Sequence, residues 1–419
     1  MRKIKFVAGL MAALCCSGIA VVSAVEPTRL TDQALQIHRE SLVVDGHNNL
    51  LMKLRKKPEL TVDSVDLAHE FSGSHTDIPR LQRGGVGAEF FATFVSNESV
   101  KKGTAVKETL EQIDQIQRLA RRFSDSLEVA GSAADIDRIH KAGKVAALIS
   151  VEGGNAIDSS LSVLRTYHQA GVRCMALTHD DTTDWADAAL DKPKHKGLAK
   201  FGEQVVAEMN RLGIAIDLSH ASSETVQATL AISNAPVLFS HSAAHKVAPH
   251  ARNLSDDLLK EVAKNGGVVM VNFFPGFLTA ENVKAYEART KAAQDLRKSF
   301  KSDDQFQVAL GAWLKEHPLP TTTVKHVVDQ IDHIAKVAGF DHVGLGSNFD
   351  GVVSVSTNLE DVSCFPHLTQ EMLNRGYSKE NIQKILGGNA LRVLRGVDAV
   401  ANGVSPTQPK STNVTATGS

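Results

Sequence analysis

The chain is poor in cysteine, in tryptophan and tyrosine, and in net charge. Its 419 residues include 4 Cys, 2 Trp and 3 Tyr, and 46 Lys and Arg oppose 47 Asp and Glu. Cys15 and Cys16 lie close to the N-terminus, so only Cys174 and Cys364 remain for the rest of the chain. A disulfide framework is therefore excluded as the main source of stability. The near-zero net charge gives no support for a nucleic-acid partner.

Long apolar runs are also missing, apart from one near the N-terminus. Three of the first five residues are basic, an apolar run covers residues 6–22, and small residues precede a signal-peptidase site after Ala24. The run barely reaches the roughly 20 residues that a membrane span requires. We therefore expect residues 1–24 to be a cleaved signal peptide, the mature chain to have no transmembrane span, and the protein to be exported, either periplasmic or secreted.

Between the termini, buried-strand patterns alternate with amphipathic helical patterns. The apolar runs cover residues 42–45, 87–95, 145–151, 172–178, 213–219, 236–240, 267–272 and 342–346. Runs without polar alternation indicate parallel strands that are buried on both faces. Eight of them over roughly 350 residues favour a (β/α)8 TIM-type barrel. No Gly-x-Gly-x-x-Gly motif follows the first strand, which argues against a dinucleotide-binding fold.

This pattern divides the chain into one domain and two terminal segments. We expect the barrel domain to cover residues 25–400, with a helical insertion at about 274–323 after the seventh strand. Residues 401–419 have almost no apolar content, so we expect a disordered C-terminal tail. The sequence leaves open whether Cys174 and Cys364 pair.

Histidine is abundant, and two of the 17 histidines occupy matching positions. Residues 214–219 and 236–240 are strand patterns that run directly into His220 and His241, and a helical pattern that Ser222 can cap lies between them. Such a strand, helix, strand unit brings both strand ends to one edge of a parallel sheet. One histidine at a strand end is usually only a satisfied polar group. Two in the same relative position indicate a shared metal ion.

The other predicted strands deliver polar residues to the same rim. The residues that follow them are His47, Asn49, Glu152, His179, Asp180, Asn348 and Asp350, and Arg252 lies eleven residues after His241. Active sites of such barrels lie at the carboxyl ends of the strands. Imidazoles and carboxylates that converge there suit zinc, although manganese and cobalt are not excluded.

Taken together, these motifs resemble those of a known family. They are Asp-Gly-His-Asn at 45–48, Glu-Gly-Gly at 152–154, Leu-Thr-His at 177–179, Trp-Ala-Asp at 185–187, Ser-His at 219–220 and 240–241, and Phe-Asp-Gly at 349–351. In this order they are similar to the membrane (renal) dipeptidase family of zinc metallopeptidases, peptidase family M19, in the form of an exported bacterial-type member. The resemblance extends over nearly the whole mature chain.

The resemblance implies a two-zinc, amidohydrolase-like barrel enzyme in which a metal-activated water attacks the peptide carbonyl of a dipeptide. It implies that Glu152 bridges both ions and that His220 and His241 complete the shell of one ion. His47 would bind the other ion, and the residue at position 49 would be its second ligand.

The remaining implied roles concern the substrate. His179 would stabilise the oxyanion of the tetrahedral intermediate, and Arg252 would bind the terminal carboxylate of a small dipeptide, often one with a C-terminal D-residue. An Arg fork matches a carboxylate, which supports this role on physical grounds. The sequence leaves a homodimer open.

Two positions depart from the pattern of the family. Asn49 stands where the family has an aspartate metal ligand, and Asn348 stands where it has an aspartate that serves as acid and base. An amide brings no negative charge and cannot carry a proton. The sequence therefore does not decide whether the chain binds one or two zinc ions. In a working enzyme, water activation would rely on Glu152 or on a nearby carboxylate such as Asp350. Two alternatives to a working dipeptidase remain. The chain could be a weakened family member that acts as a binding protein, or a hydrolase of another amide or acyl bond.

Overall fold

The structure is a computed structural model that describes residues 29–55, 62–300, 302–352 and 354–404. The predicted signal peptide and residues 405–419 of the predicted tail lie outside the described residues. Within the described ranges, no helix combines the length and the apolar character that a membrane crossing needs.

The described residues contain nine strands that belong to one parallel sheet. They are β1 Val43–Asn48, β2 Val86–Phe94, β3 Leu127–Val129, β4 Val145–Glu152, β5 Val172–Ala176, β6 Ala215–Asp217, β7 Leu238–Ser242, β8 Val268–Asn272 and β9 Val343–Gly346. The order is β2-β1-β9-β8-β7-β6-β5-β4-β3, and β2 also pairs with β4, which closes the sheet. Eight strands thus form a closed barrel, so the predicted (β/α)8 fold is confirmed.

The ninth strand, β3, was not predicted from the sequence. It pairs with the first half of β4, along the edge whose second half pairs with β5. With three residues it is too short to give a recognisable apolar run. The eight predicted runs each coincide with a barrel strand. The fifth, which corresponds to β6, is shorter than predicted because the Asp217 side chain accepts the backbone N–H of Ser219, which turns the chain out of the ladder.

Helices pack around the barrel and connect its strands. They are α1 Asp32–Arg39, α2 Leu50–Arg55, α3 Ile78–Arg83, α4 Asn97–Lys101, α5 Ala105–Arg122, α6 Ala133–Lys141, α7 Leu161–Gln169, α8 Lys200–Leu212, α9 Ser223–Ile232, α10 Asp256–Asn265, α11 Ala280–Ser299, α12 Asp303–Glu316, α13 Val324–Ala338, α14 Phe365–Asn374, α15 Lys379–Gln383 and α16 Asn389–Ala401. Short 3-10 turns occupy Gly154–Ile157, Pro275–Phe277, Phe340–His342 and Val362–Cys364, and a π-turn occupies Lys384–Gly388.

Local sequence explains where these helices begin and which face they bury. Ser222 accepts the backbone N–H of Thr225 and so caps α9, as its position before the helical pattern predicted. In α13 the buried residues recur at helical spacing from Val324 through Val328 and Ile331 to Ala335, which gives one apolar stripe against the barrel.

Alternate strand residues belong to two packed clusters. Leu148 and Met270 lie in a smaller cluster that α6 and α16 extend, whereas Ile149 and Val269 lie in the larger one under the surrounding helices. Cys174 belongs to the smaller cluster and is buried, and Cys364 is half-buried; both are free thiols. Because all strand pairs are parallel, the carboxyl ends of the barrel strands form one rim. The candidate functional residues lie at this rim.

Candidate active site and metal centre

The two Ser-His strand ends are joined by one buried carboxylate, that of Asp217. Its Oδ1 atom accepts hydrogen bonds from the Oγ and backbone N–H of Ser219, at 2.6 and 2.9 Å, and from the backbone N–H of Ser240 at 3.0 Å. Its Oδ2 atom accepts the Oγ of Ser240 at 2.5 Å. The chain ends of β6 and β7 are therefore held together immediately before His220 and His241, which places both imidazoles at one point of the rim.

Four imidazoles converge on one oxygen of Glu152. The Nε2 atoms of His47, His220, His179 and His241 lie 3.3, 3.4, 3.6 and 3.6 Å from Glu152 Oε1. Glu152 is the last residue of β4 and is only 6% exposed. Burial alone would raise the pKa of its carboxyl, but the neighbouring His47 imidazole holds that pKa well below its usual range.

On the β6–β7 side, each imidazole has a second partner that fixes which nitrogen carries the proton. His220 Nδ1 lies 3.2 Å from Asp180 Oδ1, and a carboxylate can only accept. His241 Nδ1 lies 2.8 Å from Ser240 Oγ, whose own proton is donated to Asp217. Both Nδ1 atoms therefore carry the protons, and both Nε2 atoms present lone pairs.

The donor set fits a divalent metal ion. The Nε2 atoms of His220 and His241 lie 3.0 Å apart, and two converging lone pairs at this distance are stabilised by a cation between them. His47 Nε2 is buried and has no hydrogen-bond partner among the described residues. Ligand atoms of His47, Glu152 and His241 lie within 4.8 Å of one another, as do those of Glu152, His179 and His220. The predicted combination of Glu152, His220 and His241 is equally compact, with separations of 3.0 to 3.6 Å.

Burial keeps two of these imidazoles in the neutral form that a metal ligand requires. Burial and the nearby His47 lower the pKa of His241 well below its usual value. Burial and His220 lower the pKa of His179 to about 4. Burial also disfavours the protonated form of His47, but the Glu152 carboxylate outweighs it and raises the pKa of His47.

The β1–β9 side of the cluster presents two amides, whereas the other side presents two imidazoles that are supported by carboxylates. Asn49 Nδ2 donates to Glu152 Oε2 at 3.0 Å, so the second oxygen of that carboxylate is occupied by an amide. Asn348 has a φ of 60°, and a Cβ added at Gly351 would lie 2.3 Å from its Oδ1 and 2.2 Å from that of Asn49. Only glycine at position 351 therefore allows both amides to sit together at the rim.

The structure does not favour Asp350 as a support for water activation. Its Oδ1 accepts the backbone N–H of His75 at 2.8 Å, and its Oδ2 accepts the Oγ of Ser74 at 2.9 Å. It is 5% exposed and does not line the cleft at the barrel mouth. Among the described residues, the carboxylates that line this cleft are those of Glu152 and Asp180.

Arg252 lies in the same cleft, which has a volume of about 460 Å³. Its Nη2 donates to the backbone oxygen of His241 at 3.2 Å, and its guanidinium lies 5.7 Å from the centre of the Phe277 ring. The side chain is 3% exposed in total, and burial lowers the pKa of Arg252 to about 10, so the group remains a cation at neutral pH.

The structure thus brings all eight predicted site residues to one place. Glu152, His179, His220, His241, Arg252, Asn49 and Asn348 line the cleft, and His47 lies directly behind them against Glu152. The sequence placed Asp180 at the rim without a role, and it predicted that the helical insertion at about 274–323 shields part of the barrel mouth but named no site residue in it. Tyr286 and Leu314, from the insertion helices α11 and α12, form part of the cleft wall. The position of Asp180 directly after His179 predicts that it lies at the rim, but not that it contacts His220.

Comparison with known proteins agrees with the geometry. Residues 31–408 match the model of the family described as membrane dipeptidase (peptidase family M19). Mouse Dipeptidase 3 is 38% identical over 390 residues, which cover 91% of this chain and 70% of the mouse protein. Dipeptidase aclJ of Aspergillus oryzae is 35% identical over 381 residues, which cover 89% of this chain and 82% of the fungal protein.

A solved structure shows the same architecture. The crystal structure of the probable dipeptidase PvdM from Pseudomonas aeruginosa superimposes with a TM-score of 0.74 at 25% identity, over 88% of this chain and 98% of that chain. The match over nearly the whole described barrel, together with the imidazole and carboxylate cluster at its rim, establishes that the chain belongs to the membrane dipeptidase family, peptidase family M19, and is a hydrolase of the metallopeptidase class.

Proposed function

We propose that this protein is a zinc-dependent dipeptidase that tolerates a D-residue at the C-terminal position of its substrate. The observation that carries the proposal is the placement of the buried Arg252 guanidinium in the same cleft as the Glu152 and histidine cluster. A metal cluster alone suits many hydrolases. A buried cation beside it suits a substrate with a free carboxylate close to the scissile bond.

The ligands on the β6–β7 side are the stronger set. Glu152, His220 and His241 would hold one ion, and His47 with Asn49 would hold a second one. When bound, such ions lower the pKa of a coordinated water so that it can attack the peptide carbonyl at neutral pH. The Asn49 amide donates to Glu152 Oε2, so a second ion would share that carboxylate with a hydrogen bond and would gain no negative charge from position 49.

The other residues orient the substrate and the developing charge. Arg252 binds the terminal carboxylate, and His179, whose imidazole faces the cleft 3.6 Å from Glu152 Oε1, lies where it can stabilise the oxyanion. Asn348 lines the cleft but has no proton to transfer to the leaving amine. The proposed enzyme therefore keeps its binding and metal residues and lacks one proton carrier.

A panel of dipeptides tests the proposal. Purified protein should release amino acids from L,L and L,D dipeptides after zinc is added, should lose this activity after chelation, and should leave the corresponding amidated dipeptides almost uncut. Binding of dipeptides without turnover would instead support a binding protein. Cleavage of amidated or acylated compounds at equal rates would support a hydrolase of another bond.

Two further predictions concern the protein as a whole. If residues 1–24 are a cleaved signal, the exported protein begins at or near Val25, which N-terminal sequencing of material from outside the cytoplasm can check. A homodimer would appear in light scattering as twice the mass of one chain.

A further inference from the structure

The cleft has an inner and an outer part with different chemistry. The inner part contains the Glu152 cluster and Arg252. The outer part is formed by the hairpin of α11 and α12, from which Tyr286, Ala293, Leu310 and Leu314 line the cleft; we call these four residues the hairpin wall. Three of the four side chains of the hairpin wall are purely apolar, and the fourth is largely so.

Two polar residues of α11, Arg289 and Thr290, also line the cleft, and both donate hydrogen bonds to backbone oxygens. Arg289 donates from Nε and Nη2 to the backbone oxygen of His317 at 2.8 and 2.7 Å. The hydroxyl of Thr290 donates to the backbone oxygen of Tyr286 at 3.1 Å, inside α11. Both side chains are thus held by backbone oxygens, and the apolar residues of the hairpin wall provide the surface that accommodates apolar atoms of a ligand.

Aromatic rings connect the hairpin wall to Arg252. The guanidinium lies 5.7 Å from the ring centre of Phe277, which lies 5.6 Å from that of Tyr286. Phe274 lies 5.2 Å from both of these rings. A substrate residue whose carboxylate reached Arg252 would therefore lie against this aromatic surface and against α11.

We propose that the hairpin wall is the pocket for the side chain of the C-terminal residue, and that the enzyme selects dipeptides in which this residue is large and apolar, such as leucine or phenylalanine. This inference rests on the proposed function. Each buried methylene group raises the binding constant by a factor of about four. A leucine or phenylalanine side chain should therefore give a kcat/KM roughly 10- to 100-fold higher than glycine at this position. A charged side chain gains no such factor and loses its hydration.

The test is a series of dipeptides with alanine at the N-terminal position and glycine, alanine, leucine, phenylalanine, aspartate or lysine at the other, assayed with the zinc-loaded full chain. The ratio of kcat/KM for Ala-Phe to that for Ala-Gly should lie between about 10 and 100. Leu310→Asn and Leu314→Asn, which keep the number and branching of side-chain heavy atoms but not apolar character, should each lower this ratio several-fold. Leu310→Ala and Leu314→Ala provide the same comparison should an Asn variant fail to fold.

Val308→Asn is the matched control, because Val308 lies on the same helix, is 75% exposed and does not line the cleft. It should leave the ratio unchanged. Equal rates across the series, or a preference for aspartate, would overturn the inference while leaving the dipeptidase proposal intact.

If no dipeptide is cleaved at all, the proposed function fails, and the pocket is then judged by binding. Calorimetry with non-hydrolysable phosphinate analogues of Ala-Phe and Ala-Gly should still show at least tenfold tighter binding of the former. Equal affinities would overturn the inference in that case as well.

Discussion

On the β6–β7 side of Glu152, His220 and His241 each use Nδ1 to bind a second partner, Asp180 or Ser240, at 3.2 and 2.8 Å. On the β1–β9 side, Asn49 and Asn348 occupy the rim beside His47. The first side thus has oriented imidazoles supported by carboxylates. The second has one imidazole and two neutral amides.

Both sides nevertheless share a structural device. Asp217 accepts the Oγ and backbone N–H of Ser240 from the neighbouring strand, and Asp45 in the same way accepts the Oγ and backbone N–H of Ser347. Burial raises the pKa of Asp45 to about 6 despite these hydrogen bonds. The backbone that positions the ligands is therefore built similarly on both sides, and the difference lies in the side chains that reach the metal. Because Asp217 and Asp45 hold the backbone on both sides, its arrangement does not depend on charged side chains at the rim.

The largest expected effect is on the β6–β7 side. His220→Ala or His241→Ala leaves an incomplete shell around Glu152, so zinc content should fall to background while the barrel, whose core lies below the rim, keeps its circular dichroism spectrum. His245→Ala is a suitable control because His245 is exposed and lies on the same side. Zinc content like that of the unaltered protein in His220→Ala would contradict the assignment of the stronger site.

The second prediction concerns the β1–β9 side, where aspartate replaces each of the two asparagines. Restoring a carboxylate at the proton-transfer position, Asn348→Asp, should raise turnover by ~10² to 10⁴, the usual range for general acid-base help. Asn49→Asp should raise zinc content from about one ion per chain toward two, because it adds a charged ligand beside His47. The double variant should exceed either single change, because both act on one reaction centre.

The melting temperature of the metal-free protein gives a second measurement for the Asn49→Asp variant. Asn49 lies 3.0 Å from Glu152 Oε2, so Asn49→Asp places two carboxylates together and should lower the melting temperature of metal-free protein, with recovery when zinc is added. Asn234→Asp makes the same chemical change at an exposed residue and should show neither effect. Two tightly bound ions in the unaltered protein, with no gain from either aspartate, would show that the amides do not weaken this side.

Arg252→Lys should have a smaller effect. Lysine keeps the charge but loses the fork, and a charge-assisted bidentate contact is worth about 2 kcal/mol, so dipeptide affinity should fall roughly thirtyfold. Amidated dipeptides, which have no carboxylate, should bind both forms equally poorly. Arg39→Lys, at an exposed residue on α1, controls for the substitution itself. An unchanged KM in Arg252→Lys would show that the carboxylate is not bound there.

Much of this site could be predicted from the sequence because its residues directly follow buried strands. Glu152 is the last residue of β4 and His241 lies within β7, so the strand pattern alone places them at the rim. The same reasoning misplaced Asp350, whose position after β9 suggested a rim carboxylate. Its φ of 64° instead turns the side chain toward Ser74 and His75, and a single left-handed residue cannot be foreseen from a pattern of apolar runs.

The outer cleft could not be predicted in this way. Tyr286 and Leu314 belong to α11 and α12, and few residues of these helices are buried, so apolar periodicity does not show which face meets the barrel. The role of Asp180 could not be predicted for a related reason: it depends on the position of His220, which lies 40 residues away in the chain.

The last and smallest predicted effect concerns Asp180. Its carboxylate lies 3.2 Å from Nδ1 of His220 and 3.8 Å from Nδ1 of His179, so it can orient both imidazoles with their Nε2 atoms toward Glu152. The loss of such a supporting carboxylate typically lowers metal affinity 10- to 100-fold. Because about half of the Asp180 side chain is exposed to solvent, which weakens the contact, we expect about tenfold for Asp180→Ala.

Competition with a chelator of known affinity measures this change, and the conservative variant separates orientation from mere packing. Asp180→Asn keeps an oxygen that accepts the Nδ1 proton of His220, so it should recover part of the zinc affinity that Asp180→Ala loses. The melting temperature of the metal-free protein should be the same in both variants, and Asp184→Ala, at an exposed neighbour, should bind zinc normally. If Asp180→Ala bound zinc as tightly as the unaltered protein, the two sides of Glu152 would no longer differ in how their imidazoles are supported, and only the two asparagines would separate them.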